Sequence, residues 1–502
     1  MSDDQPKPDL LAGVPLDAIP DGGLLAGRIG ARDAVLVRQG AVVRALGGQC
    51  THLGAPMAQG AVVGDEVRCP WHHACFDAAS GRATRAPAFA PLPTWPVTVD
   101  GGRVRVTSAE PLPAPGPGTA ADPGPFVIVG GGAAGYAAAV ALKTRAPRAR
   151  CIVLSEEPHA PYDRTLLTKD YLDGKFGDDR LPISAVTLES LGVELRLATR
   201  VARIDRARAE VVLAGGEAVP YAALLLATGA EPKRLDVPGA DQDHVGVLRS
   251  LDDCRAILGR IVPGTRVVVL GSSFIGLEAA ASLRSRDVDV TVVTPETEPT
   301  AAVFGAAVSR AIMAVHRDKG VAFVTGRRAV AVGTADITLD DGTRLPADLV
   351  VVGIGVSPRT DLAAAAGLAV DDGVRVDAHL RTSDPAIYAA GDIARWPDPH
   401  TGRDIRVEHW VVAQRQGAVA AANMLGASEP FTAVPFFWTK HFDLSVRYVG
   451  HAGPGVEVEV DGSPADRDAA VWFKADGRTE ALATLGRDPL SLAFERDAER
   501  AG

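Results

Sequence analysis

Cysteine and histidine occur as a pair twice in a short stretch: Cys50-Thr51-His52, then Cys69-Pro70-Trp71-His72 after sixteen intervening residues. Each half offers one thiolate and one imidazole. Two thiolates on one iron and two imidazoles on the other complete a [2Fe–2S] cluster, so Cys50, His52, Cys69 and His72 are the candidate ligands. A zinc finger groups its cysteines together and its histidines together, and the alternation here argues against zinc. Three of the five cysteines fall in this segment. His73 is a rival ligand, but the spacing favours His72. His73 then reads either as a solvent-facing neighbour or as a residue that tunes the cluster. Cys75 has no counterpart in the other half and reads as a buried thiol.

A second set of residues suits dinucleotides. Gly130-Gly131-Gly132-Ala133-Ala134-Gly135 follows an apolar run and opens a small-residue helix. Glycines there let backbone approach a pyrophosphate, and the helix N-terminus supplies N–H groups, which makes Gly130, Gly132, Ala134 and Gly135 binding candidates. Glu156, twenty-one residues past Gly135, stands where a carboxylate accepts ribose hydroxyls, with Glu157 as the alternative. The second copy runs Gly271-Ser272-Ser273-Phe274-Ile275-Gly276, with Glu296 twenty residues on. Gly271, Ser273 and Gly276 are its binding candidates. Glu296 and Glu298 would repel a 2′-phosphate and no arginine lies beside them in sequence, so NADH is expected over NADPH. Thr228-Gly229 and Gly391-Asp392 each end an apolar run, and Asp392 lies where a flavin's ribityl chain would pass.

These residues need elements to hold them. Residues 34–38, 42–46, 65–68, 97–99 and 104–106 read as short strands, the last two joined by the turn Asp100-Gly101-Gly102. The first segment, 1–110, is therefore expected to be all-β. Residues 111–125 hold six prolines and three glycines and predict an extended, semi-rigid tether. Beyond it the pattern is strand, glycine turn, helix, strand, at 126–154 and again at 266–293, which implies two parallel-sheet nucleotide domains. The expected division is 126–245 and 353–428 for an FAD-binding domain, 246–352 for an NAD-binding domain, and 429–502 for a smaller C-terminal domain. Past about 430 the pattern looks irregular and aromatic.

Composition narrows the function. The chain has 502 residues, 47% apolar and 23% charged, with a formal charge of −10. This is the balance of a folded globular protein, and its acidity argues against nucleic acid as a partner. No apolar run reaches the 18 residues of a membrane span. The polar start MSDDQPKPDL reads as neither signal nor transit peptide, so a cytoplasmic location is expected. Residues 156–171 contain no cysteine, while Cys151 lies in a strand and Cys254 in a helix, neither with a CxxC neighbour. Disulfide reductase and thiol peroxidase chemistry are therefore disfavoured.

The motifs CTHLGA and CPWHHACFD resemble ferredoxin-type Rieske domains over about residues 10–107. High-potential members carry extra cysteines, a serine and a tyrosine where this chain has Ala55, Trp71, Ala74 and Phe76, and usually glycine at the place of His73. The missing hydroxyls imply a potential near about −150 mV. The order of the glycine motif, Ala227-Thr228-Gly229, the second glycine motif and Gly391-Asp392 resembles the flavoprotein reductases with two dinucleotide-binding domains, the glutathione-reductase-like fold. Pro161-Tyr162-Asp163-Arg164 through Lys169, Arg406-Val407-Glu408-His409-Trp410 and Pro435-Phe436-Phe437-Trp438 are similar to segments of ferredoxin reductases and apoptosis-inducing-factor-like proteins. Together the two halves resemble the Rieske-containing branch of that family. The resemblance implies a multidomain chain: an all-β Rieske domain, an α/β flavoprotein and a small α+β C-terminal domain. It implies that Arg164 and Lys169 contact FAD, that Lys169 pairs with Glu278 near N5, and that His409, Trp410 and Trp438 border the isoalloxazine and nicotinamide. The implied activity is transfer of electrons from NADH through FAD to the in-chain [2Fe–2S] cluster and on to an external acceptor: an oxygenase, a cytochrome or a ferredoxin. The rivals are an NADH oxidase, a reductase of a separate ferredoxin, and an NADH-responsive signalling protein.

Overall fold

A computed structural model of the chain describes residues 7–113 and 124–501. Most of the tether expected at 111–125 lies outside the described residues.

The N-terminal segment is all-β. Leu24–Ile29, Arg32–Gln39, Val42–Gly47 and Thr94–Trp95 form one antiparallel sheet. Val97–Asp100 pairs with Arg103–Val106 across Gly101-Gly102. Both turn glycines have positive φ, 53° and 74°, which the two-residue hairpin requires. A separate four-stranded sheet, Ala61–Val63, Glu66–Arg68, Cys75–Asp77 and Ala83–Arg85, carries the second cysteine–histidine loop.

After residue 124, Phe126–Val129 is the central strand of a five-stranded parallel sheet. Its neighbours are Cys151–Leu154 and Ala223–Leu226, with Glu194–Arg196 and Ile387–Ala389 at the edges. All four of its residues are buried, as expected of a strand covered on both faces. The helix Ala133–Arg145 follows the glycine turn and packs on the helix Trp410–Met424. Gly417 makes this crossing possible, because a Cβ there would stand 2.1 Å from the Ala134 carbonyl oxygen.

The second parallel sheet runs Val245–Val247, Leu349–Val352, Arg266–Leu270, Asp289–Thr294, Ala322–Thr325. The helix Phe274–Arg284 opens directly from the second glycine turn.

The segment past 430 is more regular than its sequence suggests. It forms a five-stranded antiparallel sheet, Phe436–His441, Leu444–Gly450, Arg478–Leu485, Asp468–Ala475, Glu457–Ser463, followed by the helix Asp488–Ala501. Alternation is lost because Ala469, Ala470 and Val471 are all buried on consecutive positions of a covered strand, and a register shift follows at Phe473 and Lys474.

Candidate functional site: cluster, flavin and nicotinamide positions

The two cluster loops are built alike. Cys50 N–H donates to the Ala55 carbonyl and Cys69 N–H to the Ala74 carbonyl, each at 2.8 Å, so each loop closes over five residues. Both thiols are buried, and the backbone N–H groups of His52 and Leu53 near Cys50, and of Trp71 and His72 near Cys69, favour the thiolate. The His52 and His72 ring centroids are 5.0 Å apart. His52 Nδ1 is buried without a hydrogen-bond partner, while Nε2 lies 4.0 Å from Asp163 Oδ2. Burial holds the His72 imidazole well below its ordinary pKa, in the neutral form a metal takes. Among the described residues no three ligand groups converge on a single point. The donor set and the orphaned His52 nitrogen fit the [2Fe–2S] group.

His73 is not solvent-facing. It is fully buried, has φ 57°, stacks on Phe436 and donates from Nδ1 to Glu495 Oε2 at 2.7 Å. Cys75 is a buried thiol pushed up to about 12 by burial, as are Cys151 and Cys254.

In the first glycine turn, a Cβ on Gly130 would lie 2.2 Å from the Ala227 carbonyl oxygen and one on Gly135 1.9 Å from that of Gly130. These glycines serve strand–helix packing. Gly132 faces open space, the room a pyrophosphate would fill. Ala134 joins the turn to Gly391, whose Cβ would meet the Ala134 methyl at 3.2 Å. Thr228 Oγ1 donates to the Arg359 carbonyl, and Gly229 has φ 69°. Glu156 pairs with Arg359 at 3.0 Å. Glu157 instead accepts from Tyr162 Oη at 2.6 Å and pairs with Arg164, which also donates to the Arg249 carbonyl. Asp392 pairs with Arg249 at 2.9 Å.

Lys169 Nζ meets Glu278 Oε2 at 2.7 Å, and both are largely buried. Glu278 also accepts from Thr168 Oγ1 at 2.6 Å and Thr439 Oγ1 at 2.7 Å. The segment Thr168–Lys169, the helix Phe274–Arg284 and the strand Phe436–His441 thus meet on one carboxylate. His409 caps the helix Trp410–Met424 and lies edge-on to Phe437, and burial brings its imidazole down to about 4. Trp410 Nε1 is buried without a partner. Trp438 stands between the halves of the molecule: its ring centroid is 4.2 Å from that of His72.

In the second turn, a Cβ on Gly271 would lie 2.4 Å from the Gly353 carbonyl oxygen and one on Gly276 2.5 Å from that of Gly271. Ser273 donates to the Gly353 carbonyl at 3.0 Å. Glu296 accepts from Thr294 Oγ1 and from Ser272 Oγ at 3.4 Å. No arginine neighbours these carboxylates in sequence, but in three dimensions Arg310 pairs with Glu298 at 2.8 Å.

Residues 14–96 match the model of the Rieske [2Fe-2S] domain, and residues 124–417 that of the pyridine nucleotide-disulphide oxidoreductases. The chain belongs to the pyridine nucleotide-disulphide oxidoreductase family. Within it, the chain is 40% identical to the anthranilate 1,2-dioxygenase system ferredoxin–NAD(+) reductase component of Burkholderia cepacia, over 72% of this chain and 92% of the relative. It is 30% identical to apoptosis-inducing factor 3 of Mus musculus, over 91% of this chain and 78% of the relative. The covalent putidaredoxin reductase–putidaredoxin complex superposes with a TM-score of 0.72 at 31% identity, over 76% of this chain and 93% of that one. This pyridine nucleotide-disulphide oxidoreductase is an FAD- and NAD(H)-binding flavoprotein with a Rieske [2Fe–2S] domain on the same chain.

Arg249, Arg415, Arg447 and Glu495 were not legible in the sequence. Arg249 has no motif around it, and the other three act on the cluster loop from far along the chain.

Proposed function

We propose that this chain takes electrons from NADH and delivers them through its own Rieske cluster to an external acceptor protein. The observation that carries this reading is the approach of the His72 ring to Trp438. One cluster ligand packs against an aromatic assigned to the flavin's border. When bound, the flavin accepts a hydride from NADH and gives electrons up singly, and the cluster carries one at a time. Cys50, His52, Cys69 and His72 would hold the cluster. Gly130, Gly132, Ala134, Gly135, Glu156, Thr228, Gly229 and Asp392 would hold FAD, with Arg164 orienting Glu157 and Arg249 orienting Asp392. Gly271, Ser273, Gly276 and Glu296 would hold the nicotinamide dinucleotide. The Thr294 and Ser272 hydroxyls aim the Glu296 carboxylate, which supports a preference for NADH. Lys169, fixed by Glu278, would set a positive charge beside the reacting edge of the flavin.

The division into a cluster domain at 1–110, an FAD-binding domain at 126–245 and 353–428, an NAD-binding domain at 246–352 and a C-terminal domain at 429–502 is supported by the separate sheets that these ranges close. The names of the relatives point to an acceptor from an oxygenase system, a cytochrome or a ferredoxin. A cytoplasmic place fits a chain in which no described helix is long and apolar enough to cross a membrane. The similarity to apoptosis-inducing factor 3 over 91% of the chain favours one second reading, an NADH-responsive signalling protein. Cys69→Ser tests the proposal. Acceptor turnover should vanish while NADH still bleaches the flavin. Turnover that survives the substitution would point to an oxidase or a separate ferredoxin, and an NADH-driven change of oligomeric state without turnover would point to signalling.

A further inference from the structure

We infer that the C-terminal helix Asp488–Ala501 is a clamp that positions the cluster for electron transfer, acting through Arg415 and Arg447 on the carbonyls of Trp71 and His73, the residues either side of His72. The inference rests on the reading that electrons pass from the flavin to the in-chain cluster.

Arg447 Nε donates to the Trp71 carbonyl at 3.2 Å, and Arg415 Nη2 donates to the His73 carbonyl at 3.2 Å. His72, the ligand between them, faces Trp438. Each arginine is held in turn by an acid of the terminal helix. Asp488 Oδ1 is 2.6 Å from Arg447 Nη1, and Glu495 Oε1 is 2.7 Å from Arg415 Nη1. The same helix reaches the cluster domain directly. Glu495 Oε2 accepts from His73 Nδ1 at 2.7 Å, and Glu499 Oε2 pairs with Arg68 Nη2 at 2.7 Å, while its other oxygen pairs with Arg85. Asp488, Glu495 and Glu499 are spaced by seven and four residues, one face of a helix.

The burial of this hub separates it from surface ion pairs. Glu495 is 0% exposed, and Arg68 and Arg415 are each 4% exposed. Burial opposes ionisation of Glu495, but Arg415, then His73 and Arg68, outweigh it and keep the carboxyl well below the usual range. Exposed pairs contribute little, but removing one member of a buried network strands the others without a partner. His73 adds a second sign of a built joint. Its left-handed φ is one that glycine adopts without strain, yet a glycine could not reach Glu495. The joint therefore fixes the His72–Trp438 contact, and with it the gap an electron must cross.

The test uses the full-length holoprotein and two variants, Glu495→Ala and the milder Glu499→Gln. Anaerobic stopped-flow with NADH reads flavin bleaching and cluster reduction separately. Amide hydrogen exchange reads residues 69–76 and 488–501, and EPR after dithionite reads cluster content. The clamp predicts unchanged flavin bleaching and unchanged dithionite signal. Cluster reduction should slow several-fold in Glu495→Ala, and less in Glu499→Gln, with faster exchange in both segments. Cluster reduction at the unaltered rate in both variants would overturn it, as would joint loss of flavin and cluster from both, which is a folding role alone. If the unaltered chain bleaches its flavin but leaves the cluster oxidised, the electron-transfer reading itself fails, and the clamp proposal fails with it.

Discussion

At the scale of single residues, Lys169 and Glu278 meet from segments far apart in the chain and are largely shielded from water. Lys169→Met should slow NADH bleaching of the flavin by about a hundredfold while FAD stays bound. Stopped-flow absorbance measures this, and an unchanged rate would leave Lys169 a structural partner of Glu278 only. The glycine motifs and the two cysteine–histidine pairs were legible because their chemistry demands local spacing. Arg249 was not, because it meets Asp392 from far along the chain. Nor was the partner of Glu298, because Arg310 reaches it from the next helix.

At the scale of elements, the helices Ala133–Arg145 and Trp410–Met424 cross so closely that Gly417 leaves no room for a side chain. Gly417→Val should destabilise the fold by about 1–3 kcal/mol and lower the FAD content of the purified protein, as read by thermal unfolding and by absorbance. The helix Ala301–Asp318 and the strand Phe436–His441 join through a buried histidine pair, His316 Nε2 to His441 Nδ1 at 3.2 Å. Burial lowers His316 to about 2, with His441 adding to the shift, and lowers His441 to about 3, with Lys169 adding to it. Both are neutral when folded but titrate near 6.5 when unfolded. Below that pH the unfolded chain binds more protons, so stability falls as pH drops. The loss is about 2 kcal/mol per histidine between pH 6.5 and 5. Calorimetry should find Tm falling over that range, and falling less in His316→Gln. The C-terminal sheet was the element least visible in sequence, because a strand covered on both faces loses the alternation that marks a strand.

At the scale of the molecule, both proposed histidine ligands face the reductase: His52 lies near Asp163, and His72 is covered by Trp438. An acceptor that approaches the histidine edge therefore competes with the reductase for one face of the cluster domain. Shortening residues 111–125 should slow acceptor turnover more than it slows reduction of flavin and cluster by NADH. An equal fall in all three would contradict the competition. The all-β and doubly wound parts were legible from their changing periodicity, but their docking was not, since no local pattern encodes an interface. The proposed flow of electrons from NADH to the cluster within one chain is tested by an anaerobic NADH titration followed by absorbance and low-temperature EPR. Flavin bleaching should be accompanied by the signal of a reduced Rieske cluster. Bleached flavin with an oxidised cluster would overturn the proposal.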